Sequence, residues 1–143
     1  MDKYGLEEAC RLAKRILRQE ALKGEELIVN ISCGRRPETI GVLLAAYTAP
    51  VEVSRHINNI IYITGEGEVI YLPVIRLRLG AKLRVLKALK DGPMSMKELR
   101  EALGLKGGGI YRLVKDLMSM GLIYVNSKKV SLTSAGRIVI DEL

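Results

Sequence analysis

Gly34, Arg35 and Arg36 stand between a short apolar run, Leu27–Ile31, and a proline at position 37. These residue types at this spacing can bind an anion. A glycine lets the backbone turn tightly, and a helix starting behind it presents amides with no intrahelical partner. Two adjacent guanidiniums can fork onto phosphate oxygens. The alternative, from the turn alone, is an ordinary strand-to-helix junction with solvated arginines. A second set of cations lies further on. Arg112 and Lys115 follow Gly107-Gly108-Gly109 at helical spacing, and Lys128 and Lys129 are adjacent.

Little in the sequence supports catalysis or metal chemistry. His56 is the only histidine, and no acid–base pair stands out, so the chain does not read as an enzyme and no cofactor is expected. Cys10 and Cys33 lie 23 positions apart, and neither C-x-x-C nor H-x₃-H spacing occurs, which argues against structural zinc. The expectation is two reduced cysteines in a cytoplasmic protein. No basic-then-apolar leader pattern occurs at the start. No apolar run approaches the roughly 20 residues of a membrane span.

The net charge of +7 is uneven. Residues 1–79 carry 11 Lys/Arg against 10 Asp/Glu, whereas residues 80–143 carry 12 against 6. A basic half joined to a near-neutral half suggests that one module meets a polyanion. With six tyrosines and no Trp or Phe, the core must be aliphatic.

The elements that position these residues follow from periodicity. Leu6, Ala9, Ala13, Ile16 and Leu17 predict a helix from Leu6 to Leu22. Leu27–Ile31 is short and β-branched, a strand buried on both faces. Pro37 suits the first turn of a helix reaching Tyr47. Asn59–Thr64 and Val69–Leu72 flank Gly65-Glu66-Gly67-Glu68 as a hairpin. The α-β-α-β-β order predicts an α/β layer with a crossover, yet with only about three strands. Such a sheet leaves an open edge and an uncovered face, so either a second chain completes it or the sequence starts partway into a larger fold. From Gly80 the pattern changes to α+β. Leu79, Leu83, Leu86 and Leu89 mark one helix, and Ser95 to Glu98 forms a capping box ahead of a second. Ile110, Leu113, Val114 and Leu117 mark a third, with Tyr111, Arg112 and Lys115 outward. Two short strands surround Asn126-Ser127-Lys128-Lys129, and Thr133 caps a last helix. The domains expected are 1–79 and 80–143.

Three helices and a ribbon with a basic tip form the shape of a winged helix-turn-helix. The series "KELREALGL…IYRLVKDLMSMGLI…V.LTSAGR" resembles the winged-helix transcription factors of bacteria and archaea. The resemblance implies a third helix in the major groove of double-stranded DNA and a wing on phosphates. The DNA-binding residues it implies are Lys106, Gly108, Tyr111, Arg112, Lys115, Lys128 and Lys129. Glycines at the helix start permit close backbone approach to phosphate but cannot read bases. The alternative is a winged helix used as a protein-interaction scaffold.

The order "EELIVNISCGRRPETIGVLLAAY", "INNIIYITGEGEVIYLP" and then a winged helix resembles the CARF (CRISPR-associated Rossmann fold)–winged-helix regulators. Their strand–turn–helix signature matches at Asn30, Ser32, Gly34, Arg35 and Arg36, with Cys33 in place of a first glycine. The resemblance implies a homodimer through a partial Rossmann-like domain. It also implies a cyclic oligoadenylate, such as cyclic tetra-adenylate, held across the dimer axis with those five residues among its contacts. Family members begin with a further βαβ unit, so a partial CARF domain is expected here. The function this implies is transcriptional regulation of CRISPR-associated genes in antiviral defence, gated by the ring. A CARF-type enzyme that degrades the ring is the alternative of another class.

Overall fold

A computed structural model describes residues 5–32 and 34–141, so Cys33 lies outside the described residues. The chain is of mixed α/β and α+β class and divides into two compact units. The first runs to Arg78, and the second spans Leu79–Asp141.

In the first unit, α1 (Leu6–Leu22) precedes β1 (Leu27–Asn30), α2 (Arg36–Tyr47) and a short α3 (Val51–Ser54). Strands β2 (Ile57–Ile63) and β3 (Val69–Leu72) complete a sheet of order β1-β2-β3. β1 and β2 pair in parallel with Val29 opposite Ile60, while β2 and β3 are antiparallel with Ile61 opposite Tyr71. The expected hairpin closes with Thr64 donating to the Glu68 carbonyl and Gly67 at φ +88°. α1 and α2 pack closely because position 41 has no side chain: a Cβ there would lie 2.7 Å from the Ala9 Cβ.

The inner side of α1 differs from its apolar periodicity. Cys10, Ala13, Leu17 and Ala21 are buried, as is Lys14 at 4% exposure, while Ile16 is 58% exposed. β1 is likewise not buried on both faces. Val29, Ile57 and Ile60 are buried, whereas Ile28 is 65% and Tyr71 68% exposed. With period-two alternation, Ile28, Ile63, Val69 and Tyr71 fall on the opposite face of the sheet from Val29 and Ile60.

The second unit runs α4 (Lys82–Ala88), a 3₁₀ turn (Leu89–Asp91), β4 (Met94–Ser95), α5 (Met96–Leu103) and α6 (Gly109–Ser119). The hairpin β5 (Ile123–Asn126) and β6 (Lys129–Leu132) follows, then α7 (Ser134–Ile140). The two-stranded ribbon expected is a three-stranded sheet of order β4-β6-β5, because Met94 and Ser95 pair with Val130 and Lys129. Val85, Leu86, Leu99, Ile110, Leu117 and Val130 form the centre of the core, each 0% exposed. Local signals set the helix ends. Ser95 Oγ accepts from the Glu98 amide at 3.1 Å, and Thr133 Oγ1 accepts from the Gly136 amide at 3.1 Å. The return half of the capping box is altered: the Ser95 hydroxyl donates to the Glu98 carboxylate at 3.2 Å. α5 ends on Gly104 at φ +64°, with Leu105 donating to the Arg100 carbonyl, a left-handed helix stop.

Candidate functional site

The turn between β1 and α2 positions all five residues of the first candidate site. Its end of β1 is tied down locally. Asn30 Oδ1 accepts from the Ser32 amide at 2.9 Å and from the Ser32 hydroxyl. The same hydroxyl accepts from the Ile63 amide at 2.7 Å, which joins the turn to β2. Asn30 and Ser32 therefore already have partners within the unit.

At the helix start an acidic side chain occupies the place read as an anion site. Arg35 is the cap residue, one position before α2. Its amide donates to Glu38 Oε2 at 2.6 Å, and its Nε and Nη2 both lie 3.3 Å from Oε1. The carboxylate thus takes a helix-terminal amide and a guanidinium together. Gly34, at φ +99°, makes room for it: a Cβ at position 34 would lie 2.6 Å from Glu38 Oε2. Arg36 is exposed and has no hydrogen bond or ion pair to Glu38. Starting the helix at Pro37 hid this arrangement. A start at Arg36 puts Glu38 three residues past the cap, where a carboxylate reaches back.

The amide of Arg35, then its side chain, lowers the pKa of Glu38. A lowered folded-state value means that the group stabilises the fold above its unfolded pKa and loses that contribution as pH falls through the folded one. Glu38→Gln should therefore melt at a lower temperature than the parent near neutral pH. The difference should vanish in acid, below the folded pKa. Melting curves across that range check it, and a gap that persists in acid would assign the effect to packing.

In the second unit, all seven DNA-binding candidates are exposed. Tyr111, 56% exposed, Arg112 and Lys115 lie on α6, and Lys106 and Gly108 precede it. Lys128 and Lys129 lie at the β5–β6 tip, where Ser127 (φ 51°) and Lys128 (φ 64°) form the two-residue turn between the paired Asn126 and Lys129. Lys106, Arg112, Lys115, Lys128 and Lys129 have no carboxylate partner among the described residues. The start of α6 has no side-chain cap and no acidic residue in its first turn. Gly107 needs glycine for its φ of +70°, but Gly108 (φ −84°) and Gly109 do not. A Cβ at any of these three positions would meet nothing within 4 Å.

One residue absent from the expected set belongs beside it. The Arg100 guanidinium of α5 lies 5.4 Å from the centre of the Tyr111 ring, a cation–π contact that orients the tyrosine. Its Nε is buried without a hydrogen-bond partner among the described residues. No spacing rule pairs position 100 with 111, since the contact crosses between helices. Among the described residues, no cluster of His, Cys, Asp or Glu could hold a metal. Nor, among the described residues, is any helix long and apolar enough to cross a membrane.

Residues 77–143 match a family model described as the N-terminal domain of the methanogenesis regulatory protein FilR1. The matched segment begins two positions before the second compact unit and covers all of it. No curated protein matches the chain.

Proposed function

We propose that the chain is a transcriptional regulator. Its second unit is a winged helix that binds double-stranded DNA, and its first unit joins two copies in a homodimer that acts in the cytoplasm. The observation that carries the DNA reading is the set of unpaired cations, Arg112 and Lys115 on α6 and Lys128 and Lys129 at the hairpin tip. Such side chains suit a phosphate backbone better than a folded protein surface, which would have to supply a carboxylate for each. The likeness of residues 77–143 to a regulatory protein's domain supports the same reading. A labelled duplex titrated with the full chain at low salt should bind. Replacing Lys128 and Lys129 by Ala should weaken all sequences alike, and absence of any duplex binding would leave the scaffold reading.

The dimer reading rests on the sheet. One face carries exposed Ile28, Ile63, Val69 and Tyr71, and a second copy would cover them. Sedimentation of the full chain should show a dimer. Ile28→Lys combined with Tyr71→Lys should give a folded monomer, and a parent chain that is monomeric at micromolar concentration would refute this.

In its finer form, drawn from the CARF resemblance, the regulator acts on CRISPR-associated genes and is gated by cyclic tetra-adenylate at the β1–α2 turn. Gating requires ring phosphate to displace Glu38 from Arg35. Calorimetry with the ring should then give heat that Arg36→Ala abolishes. No heat removes the gating and leaves the DNA reading intact.

A further inference from the structure

Arg55, Arg76 and Arg78 line one hollow of about 200 Å³ in the first unit, together with Val51, Ser54 and Leu77. Among the described residues, no carboxylate lines it. Arg76 is fixed: its Nε donates to the Ser54 carbonyl at 3.3 Å and its Nη2 to the Ile57 carbonyl at 3.2 Å. Those bonds hold the segment after β3 against the loop between α3 and β2. The side chains of Arg55 and Arg78 have no hydrogen bond or ion pair among the described residues. Three like charges that share a hollow repel one another, and an anion between them relieves the repulsion.

The contrast with the β1–α2 turn is chemical. There Arg35 already has Glu38, whereas here no carboxylate answers the positive charge among the described residues. Guanidiniums carried by two separate segments, Arg55 after α3 and Arg76 and Arg78 after β3, match the several oxygens of a tetrahedral dianion better than the two of a carboxylate. The hollow has room for a phosphate and part of the group attached to it, and Val51 and Leu77 give that group apolar walls.

We propose that Arg55, Arg76 and Arg78 form a phosphate-binding site, separate from the β1–α2 turn and independent of the DNA reading. The phosphate is either that of a small phosphorylated molecule or that of a nucleic-acid backbone. Melting of the full chain in inorganic phosphate, against chloride at equal ionic strength, tests it. About 10 mM phosphate should raise Tm by about 5 °C for millimolar affinity. Arg55→Gln combined with Arg78→Gln should remove the rise, and Arg36→Gln should keep it. Arg76 is left in place because its carbonyl bonds hold the loop. Duplex titrations of the same double variant identify the source. An unchanged salt dependence points to a small phosphorylated ligand, and a slope shallower by about 2 points to the nucleic-acid backbone. The proposal is overturned if phosphate does no more than chloride, or if the rise survives in the double variant.

Discussion

Raising salt from about 50 to about 200 mM should weaken duplex binding by roughly 500-fold for each bound unit. The figure follows from five cations, Lys106, Arg112, Lys115, Lys128 and Lys129, each exposed and without a carboxylate partner. Each phosphate neutralised releases condensed counterions and adds about 0.9 to the slope of log affinity against log salt, so five give about 4.5. Removing Lys128 and Lys129 should leave a slope of about 2.7, and the same salt step should then cost only about 40-fold. Arg112→Ala should act differently. It lies on α6 beside Tyr111, so its loss should flatten preference among sequences as well as weaken binding. Affinity that ignores ionic strength would exclude a phosphate interface and leave the second unit as a protein-binding scaffold.

Gly109→Ala should make the protein more stable and a poorer DNA binder. Gly109 opens α6 in helical conformation, and a Cβ there meets nothing within 4 Å. Alanine at such a site gains about 0.5–1 kcal/mol, because glycine loses more backbone entropy on folding. Gly108→Ala should leave stability nearly unchanged, since alanine restricts the unfolded chain but is the poorer cap. Both variants should lose affinity for duplex, by about tenfold each where a methyl group holds the backbone amides away from a phosphate. This opposition of signs is diagnostic. Gly34, Gly41 and Gly136 are required inside the fold, where a Cβ would collide with Glu38, Ala9 or the Leu122 carbonyl. Gly108 and Gly109 have no such internal reason, and the proposed approach of phosphate to the start of α6 would supply one. Thermal melting and duplex titration of each variant check it. Increased stability with unchanged affinity would show that α6 does not present its N-terminus to DNA.

Local rules were enough for much of this protein. The spacing of Leu6, Ala13 and Leu17, the Gly65–Glu68 turn, and the caps at Ser95 and Thr133 predict elements the structure contains. They could be read because each depends on residues within about four positions of one another. The outward set on α6 and the hairpin tip could be read for the same reason. Contacts between elements decided the rest. Lys14 is buried and Ile16 exposed because α2 and α3 pack on α1 along a line that its apolar periodicity alone does not reveal. β4 is two residues long and exists only because β6 pairs with it. Arg100 reaches Tyr111, and Arg76 reaches carbonyls 19 and 22 positions earlier, through folding that no spacing rule encodes. The β1–α2 turn shows the division most clearly. Glycine, arginines and a helix start are legible as an anion site, but which anion fills it depends on a side-chain conformation, and here Glu38 does. Residue type and spacing determine what a segment can bind, whereas the tertiary structure determines which partner reaches it first.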